Sequence, residues 1–449
     1  MKRYIITGNY SSDEVASETY ENHNEISIPL LQEDILDAFG INHVLGILKN
    51  LNIYPNDRVY DLLVLALLVY LADTRISREL HAQDSWTREI YIKLPVKESD
   101  IWNNCISRIN RMLRFLTGDI WSVSFTERTA DINLEDGDRT NEYNAISLFS
   151  GGMDSLISTI NLMEEDKNVL LAAHANESLV KKAQTDIIGR LDEEYPNTKH
   201  TLVDLWTRIP KGIIIEGGEE NSTRSRSFLF IAFAVFVGVG TVNLKELIIP
   251  ENGLIAINVP MDSMRVGAHS TRTTHPFYLE AWNDLLKEVG IDFFIHNHFW
   301  NITKGEMADG CLNRDLLFEV MPISMSCSSP GKERFHGITP QHCGYCLPCI
   351  IRRAAMYRAF NTDNTQYAIS SVKEIVDDRE HEKGVQMRSI QYAIERLKGD
   401  PEFADYAIMK PGPLKTDKDY LKELSGVYTR GLMEVDKWIQ DSLEKENAN

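Results

Sequence analysis

The feature that most constrains this chain is an alternation of apolar strands and helical segments that begins at residue 145. The strand-like segments are AISLF (145–149), NVLLAAHA (168–175), HTLVDLW (200–206), ELIIPENG (246–253) and IDFFIHNHF (291–299). Between them the spacing predicts helices from Ser155 and from about residues 178, 224 and 277, then a short helix from Thr303. This rhythm predicts an α/β domain, in which helices cover both faces of a parallel sheet and ligands bind at the carboxyl ends of the strands.

Charge and hydropathy exclude several classes of protein. The formal net charge is −19, which argues against a general nucleic-acid binder because such a surface repels phosphates. The first residues, MKRYIITGNYSSDEV, contain too short an apolar run for a secretory signal. The apolar runs at 62–72 and 228–240 are too short to span a bilayer and are expected to be buried helices. We therefore expect a cytoplasmic protein that does not associate with membranes.

The first predicted strand runs into Ser150-Gly151-Gly152-Met153-Asp154-Ser155. Two glycines let the backbone turn sharply and bring N–H groups close to an anion, and the positive end of the next helix points at the same spot. Ser150 and Ser155 add hydroxyl donors, whereas Asp154 would orient the loop or help to hold Mg²⁺. The segment is neither a Walker A loop nor a dinucleotide fingerprint. The alternative is a tight turn with a serine N-cap.

Four of the six cysteines form a second motif. Cys327 lies upstream of Cys343, Cys346 and Cys349, which belong to the sequence CGYCLPC. Four thiolates with pairs two residues apart match a tetrahedral structural zinc site, and the alternatives are an iron–sulfur cluster or unliganded cysteines. We expect the isolated Cys105 and Cys311 to be core residues, and His336 and His342 to be loop residues.

The rest of the chain is assigned by its patterns. Helices are predicted over 58–73 and 101–116, strands over 88–96 and 120–127, and charged helices with solvated faces near 384–398 and 415–445. The predicted divisions are an N-terminal α+β domain that is a candidate for partner docking (1–130), a linker (131–144), the α/β domain (145–320), a zinc-binding subdomain (321–360) and a C-terminal helical region (361–449).

The SGGMDS segment resembles the PP-loop of the ATP-pyrophosphatase superfamily, whose fold is that of the adenine nucleotide alpha hydrolases. Together with the cysteine motif and Arg352 and Arg353 just after it, the chain resembles the QueC family of 7-cyano-7-deazaguanine synthases over residues 145–360. The segments RSRSFLF (224–230) and TKGEM (303–307) correspond to two helix starts of that family. The segment STRTTHPF (270–277) departs from the family pattern. With this segment and the added N-terminal domain, the chain is most similar to the QueC-like proteins of the Qat anti-phage defence system.

The resemblance implies an ATP-dependent carbon–nitrogen ligase that releases AMP and pyrophosphate, with ATP, Mg²⁺ and Zn²⁺ as cofactors. It would adenylate the carboxylate of a 7-deazaguanine and join it as an amide to an amine on a protein partner from the same defence operon. The alternatives are a synthase that makes free 7-cyano-7-deazaguanine and a non-catalytic ATP-binding scaffold. A tRNA thiolase has less support, because the chain is acidic and its paired cysteines are assigned to zinc.

The same resemblance suggests roles for individual residues. The residues expected to hold the phosphates of ATP are Ser150, Gly151, Gly152, Asp154 and Ser155. The residues expected to take part in catalysis are Arg224, Arg226 and Lys304, which would neutralise developing charge, and His275, which would accept a proton from the amine. The residues expected to bind the substrate are Glu251, Asn252, Arg272, Thr273 and Thr274. The alternatives are surface salt bridges for the cations, a simple turn before Gly253, and a loop role for His275.

Overall fold

The computed structural model describes most of the 449 residues. The described ranges are 3–10, 16–19, 23–82, 84–132, 134, 136–137, 140–174, 177–214, 219–220, 222–261, 272–328, 330–331 and 341–448. Ser270 and Thr271 of the STRTTHPF segment, His336 and parts of the predicted linker lie outside these ranges.

The N-terminal region contains a five-stranded sheet with the strand order β2-β3-β1-β4-β5. Its strands are β1 (Arg3–Asn9), β2 (Ala16–Thr19), β3 (His23–Pro29), β4 (Glu89–Val96) and β5 (Ile120–Glu127). Its helices are α1 (Glu33–Phe39), α2 (Ile41–Asn50), α3 (Asp57–Arg75), α4 (Arg78–His81), α5 (Ser99–Asn104) and α6 (Ile106–Thr117). Only β2 pairs antiparallel with its neighbour.

This mostly parallel sheet corrects the expected α+β arrangement of the N-terminal region. The sequence pattern predicted β4 and β5 but neither β1 nor β3, so the helical connections between parallel strands were not apparent. Parallel strands need such crossovers: α1 to α4 connect β3 to β4, which lie on either side of β1, and α5 and α6 connect the neighbours β4 and β5. The chain is therefore an α/β protein with two parallel sheets.

The second sheet has the strand order β10-β9-β6-β7-β8, and all of its pairs are parallel. Its strands are β6 (Ala145–Leu148), β7 (Val169–His174), β8 (His200–Leu205), β9 (Glu246–Ile248) and β10 (Phe294–His296). Its helices are α7 (Met153–Glu164), α8 (Ser178–Glu194), α9 (Arg226–Gly240), α10 (Gly253–Ile257), α11 (Pro276–Val289), α12 (Lys304–Asp309) and α13 (Arg314–Val320). Every residue of β6 and β7 is buried, as expected for central strands covered on both faces.

The two sheets share one hydrophobic core. Helix α3, which carries the apolar run at 62–72, packs against α9, which carries the run at 228–240, and nearly all of their residues are buried. This confirms the prediction that both runs are core helices. In the part of the chain that the structure describes, no helix is long and apolar enough to cross a membrane.

The C-terminal helices form a separate core. They are α14 (Leu347–Phe360), α15 (Val372–Asp377), α16 (Glu382–Gly399), α17 (Phe403–Ala407) and α18 (Lys418–Ala448). The expectation that the last helix presents solvated faces is wrong for one face. Leu424, Tyr428, Leu432 and Val435 of α18 are buried in this core, at the three- and four-residue spacing of an amphipathic helix, and α18 packs against α10 and α14.

Candidate functional site

The glycine turn after β6 needs glycine at its first position, Gly151. Gly151 has a φ of +78°, which favours glycine, and a Cβ atom there would lie 3.0 Å from the Gln184 side chain. Gly152 is the N-cap of α7 and provides no side-chain cap, so the alternative of a serine N-cap does not hold. The turn is held by the Met325 N–H, which donates to the Gly151 carbonyl over 2.8 Å. The start of α7 therefore presents backbone N–H groups rather than a side-chain cap.

In the structure, hydroxyl groups accept hydrogen bonds from two of those N–H groups. The Ser150 hydroxyl accepts from Gly152 N at 3.3 Å, and the Ser326 hydroxyl accepts from Met153 N at 3.2 Å. The Ser155 hydroxyl lies 3.2 Å from that of Ser150. A phosphate at this turn would replace the neutral hydroxyl acceptors. Its charged oxygens would form stronger hydrogen bonds to the same N–H donors.

Asp154 is buried beneath the turn and is bonded through both of its oxygens. Lys304 Nζ lies 2.7 Å from Oδ1, while Asn252 donates to Oδ2 from its backbone N at 3.2 Å and from Nδ2 at 2.7 Å. Burial alone would raise the pKa of Asp154, but the Lys304 ammonium and the Asn252 amide lower it below its ordinary value. These bonds favour the role of Asp154 in orienting the loop over the ligation of Mg²⁺.

The partners of Asp154 are held by the starts of two helices. Asn252 is the N-cap of α10, and its Oδ1 accepts from Ile255 N at 3.2 Å. Lys304 opens α12, where Thr303 and Glu306 form a capping box. Both contacts cross from one strand end to another, so the sheet brings together three segments that are far apart in the sequence.

Glu251 differs sharply from Asp154 in its ionisation. Burial and the nearby negative charge of Asp154 raise its pKa well above the ordinary value, although Lys304 opposes the effect. Asn252 Nδ2 lies 3.4 Å from Glu251 Oε1, and Asn297 Nδ2 donates to the Glu251 carbonyl over 2.8 Å. Two carboxyl groups thus lie near one ammonium, and Glu251 is the one whose pKa is raised.

A cavity of about 520 Å³ lies at the carboxyl ends of β6 and β9. The predicted site residues that line it are Ser150, Arg226, Glu251, Thr273 and Thr274. Phe230, Ile231 and Ile249 supply apolar walls. A concave cavity of this size is typical of small-molecule sites, and its place at the strand ends is where parallel sheets bind ligands.

The two arginines at the start of α9 have different surroundings. Arg226 lines the cavity and donates to His174 from Nε, 3.3 Å from Nδ1, and from Nη2, 2.7 Å from the carbonyl. Burial and Arg226 lower the pKa of His174 to about 3, so this histidine is neutral and can accept from the guanidinium. Arg224 instead lies over the Trp86 ring at 4.3 Å, on the side of the N-terminal sheet. The structure thus brings Arg226, but not Arg224, to the cavity.

Two residues predicted to act on the substrate or on the attacking amine, Arg272 and His275, also point to the N-terminal region. His275 is the N-cap of α11, its Nδ1 accepts from Phe277 N at 3.2 Å, and its ring packs on Phe115. Burial and Arg272 lower the pKa of His275 to about 3, which makes it a weak base. Arg272 lies over the Phe115 ring at 4.8 Å. Among the described residues, Thr273 and Thr274 are the members of this segment that line the cavity.

The four predicted cysteine ligands converge. Their sulfur atoms all lie within 4.8 Å of one another, with 3.9 Å from Cys327 to Cys346 and 3.9 Å from Cys343 to Cys349. A tetrahedral zinc ion with bonds of about 2.3 Å needs sulfur atoms about 3.8 Å apart. The cluster could therefore hold zinc. Cys105 and Cys311 are buried in hydrophobic cores, as predicted.

One segment connects the cysteine cluster to the glycine turn. Ser326 precedes Cys327 and accepts from Met153 N, while its own N–H donates to His342 Nε2 over 3.2 Å. Arg352 is fully buried and donates to the Ser324 hydroxyl over 2.8 Å. The sequence patterns did not point to Ser326 or Asn297. Ser326 could have been found from its position next to the candidate metal ligand Cys327, and Asn297 from its position just after β10.

Comparison with known proteins adds no family to these observations. No protein-family model matches the chain, and no curated protein matches it. The function is therefore inferred from the residues of the site.

Proposed function

We propose that this protein is a PP-loop enzyme of the QueC-like type, an ATP-dependent carbon–nitrogen ligase. It would adenylate the carboxylate of a 7-deazaguanine and join the activated carbonyl as an amide to an amine on a partner protein. The observation that carries the proposal is the cavity at the ends of β6 and β9, where Ser150, Arg226, Glu251, Thr273 and Thr274 converge beside the glycine turn.

The glycine turn supports the ATP part of the proposal. The N–H groups of Gly152 and Met153 and the hydroxyls of Ser150 and Ser155 would bind the phosphates at the positive end of α7. Arg226, which is fixed by His174, would neutralise the charge that develops when a carboxylate oxygen attacks the α-phosphorus and pyrophosphate leaves. Mg²⁺ would supply further charge neutralisation at the phosphates.

The far side of the cavity supports the recognition of a heteroaromatic base. Phe230 and Ile231 offer apolar contact to a flat ring. A protonated Glu251 can donate to a ring carbonyl and accept from an amino group, and the hydroxyls of Thr273 and Thr274 can do both. This donor and acceptor set fits a guanine-like edge, and it leaves the carboxylate of such a substrate directed to the glycine turn.

The first experiment measures pyrophosphate release from ATP by the purified full-length protein, with and without 7-carboxy-7-deazaguanine. We expect release to depend on the deazaguanine and to fall by about a hundredfold or more in Arg226→Gln, because removing one preorganised hydrogen-bond donor to a transition state costs about 2.7–4 kcal/mol. Lys245→Gln is the matched control, since Lys245 pairs with Asp292 at the surface. Release that ignores the deazaguanine would refute the substrate assignment.

The second experiment tests the acceptor. A protein encoded beside this one is co-expressed with it and its intact mass is measured. A mass increase that matches the deazaguanine acyl group and disappears with Ser150→Ala supports conjugation to the partner. An unmodified partner together with free 7-cyano-7-deazaguanine would show that the product is a nitrile and not a conjugate. The absence of any ATP turnover would indicate a non-catalytic scaffold.

A further inference from the structure

A second group of possible metal ligands lies away from the four cysteines, on the neighbouring strands β9 and β10. Glu246 begins β9, His296 ends β10, and His298 follows in the next turn. The two strands are parallel neighbours with Phe294 opposite Glu246 and His296 opposite Ile248, so Glu246 and His296 project on the same face of the sheet. The strand register therefore brings together residues from two distant parts of the chain.

The three side chains are close enough to share one ion. Glu246 Oε1 lies 2.8 Å from His298 Nε2 and 3.2 Å from His296 Nδ1, and the two imidazole rings are 4.3 Å apart. Tetrahedral zinc with bonds of about 2.1 Å to nitrogen and oxygen needs ligand atoms about 3.4 Å apart. The side chains are 40–44% exposed, so an ion can reach them from solvent.

We propose that Glu246, His296 and His298 form a surface site for a divalent transition metal, with zinc as the best fit. Two imidazole nitrogens and one carboxylate oxygen are a set that zinc uses, and three protein ligands leave the fourth position for water. The carboxylate also offsets part of the charge of the ion. This proposal rests neither on the four-cysteine cluster nor on the proposed ligase activity.

Metal bound here would brace a turn that reaches the cavity. Asn297 lies between the two histidines, accepts from Phe299 N at 2.9 Å and donates to the Glu251 carbonyl over 2.8 Å. An ion that ties His296 to His298 would restrain the backbone on both sides of Asn297. Because an ion that binds only the folded state stabilises it by mass action, Zn²⁺ should raise the melting temperature of the full-length protein.

The experiment starts from full-length protein whose zinc content has been measured and whose loosely bound metal has been removed by dialysis. Zn²⁺ is then titrated in by calorimetry. We expect one further equivalent to bind, and we expect its affinity to fall more than about tenfold in His298→Ala and in Glu246→Gln, since even outer-shell partners of a metal change affinity by that factor. His43→Ala is the control, because His43 faces one carboxylate, Asp204, at 3.6 Å.

Two further readouts separate this site from the cysteines and from misfolding. Co²⁺ at the histidine site should give d–d absorption without the sulfur-to-cobalt charge-transfer band that a cysteine site produces. Each variant should keep the tightly held zinc content and the circular dichroism of the wild type. The proposal is overturned if the wild type binds no further equivalent, or if His298→Ala binds it as tightly as His43→Ala does.

Discussion

The two parallel sheets carry buried charge clusters of different composition. In the N-terminal region, Arg78 and Arg88 lie against Asp73 and Asp119, so that two positive charges face two negative charges. At the candidate site, Asp154 and Glu251 lie near one buried ammonium, that of Lys304. The first cluster is balanced within the protein, whereas the second carries one carboxyl group more than it can pair.

The pKa directions follow from this difference. Burial alone would raise the pKa of Asp119, but Arg88 and Arg78 keep it below its ordinary value. At the candidate site burial raises the pKa of Glu251 and the negative charge of Asp154 raises it further. A closed, balanced cluster leaves a buried charge unpaired when one member is removed, whereas an unbalanced one beside a cavity can respond to a ligand.

The N-terminal cluster contacts the start of the helix that carries Arg226. Asp73 accepts from Ser225 N over 2.7 Å, and Ser225 is the N-cap of α9, whose first residue is Arg226. Arg224 lies over Trp86, next to the same cluster. The N-terminal region thus holds the start of the helix that presents a guanidinium to the cavity, which gives the balanced cluster a positioning role toward Arg226.

The largest effect should come from unbalancing the N-terminal cluster. Arg88→Met would leave Asp73 and Asp119 without the guanidinium that lies 2.6 and 2.7 Å from them. Loss of one partner of a buried ion pair costs about 3–5 kcal/mol of unfolding free energy. Urea unfolding followed by circular dichroism measures the change. A loss of unfolding free energy below about 1 kcal/mol would show that the cluster contributes no more than an exposed ion pair does.

A smaller effect is expected from Asp154→Asn than from Asp73→Asn. At the candidate site Glu251 can ionise and replace Asp154 as the partner of Lys304, so the cost should be about 1–3 kcal/mol, in the range for one unsatisfied buried group. Asp73 accepts from Arg88 and from Ser225 N, and its loss disturbs both contacts. The two unfolding free energies are measured side by side, and equal losses would remove the distinction between the clusters.

The pH dependence of stability should report on Glu251. Its pKa in the folded state lies above the unfolded value, so its stabilising contribution is complete below the unfolded value and is lost as the pH rises through the folded value. The slope is at most about 1.4 kcal/mol per pH unit for one proton. Glu251→Gln should flatten the fall in melting temperature with rising pH. Glu193→Gln, at the surface, should leave the wild-type slope, and an unchanged slope in Glu251→Gln would contradict the raised pKa.

The smallest effect should come from an exposed ion pair. Lys245 and Asp292 lie 2.6 Å apart but are 69% and 90% exposed. Such pairs contribute less than about 1 kcal/mol, so Lys245→Met should leave the unfolding free energy nearly unchanged. The measurement is the same urea titration used for Arg88→Met. A large loss here would mean that burial is not what separates the clusters from an ordinary pair.

Local patterns predicted a large part of the fold. Apolar composition located the strands and helices of the second sheet to within a few residues, and cysteine spacing identified four side chains that meet. The patterns missed β1 and β3, as well as the five-residue helix α10 after β9. They also missed the buried face of α18, because its charged residues outweigh the buried ones along the helix. Short or half-buried elements carry weak periodic signals, and tertiary contacts decide them.

The sequence by itself determined the glycine turn after a buried strand, the four-cysteine motif and the polar residues at the strand ends, because each is a matter of local spacing. Only the tertiary structure decided that Arg226 reaches the cavity while Arg224 and His275 pack on the N-terminal region. It also decided that Asp154 and Glu251 share one ammonium, and that Glu246 lies beside two histidines. The physical reason is that side-chain direction and charge balance depend on neighbours that are distant in the sequence and are set by how strands and helices pack.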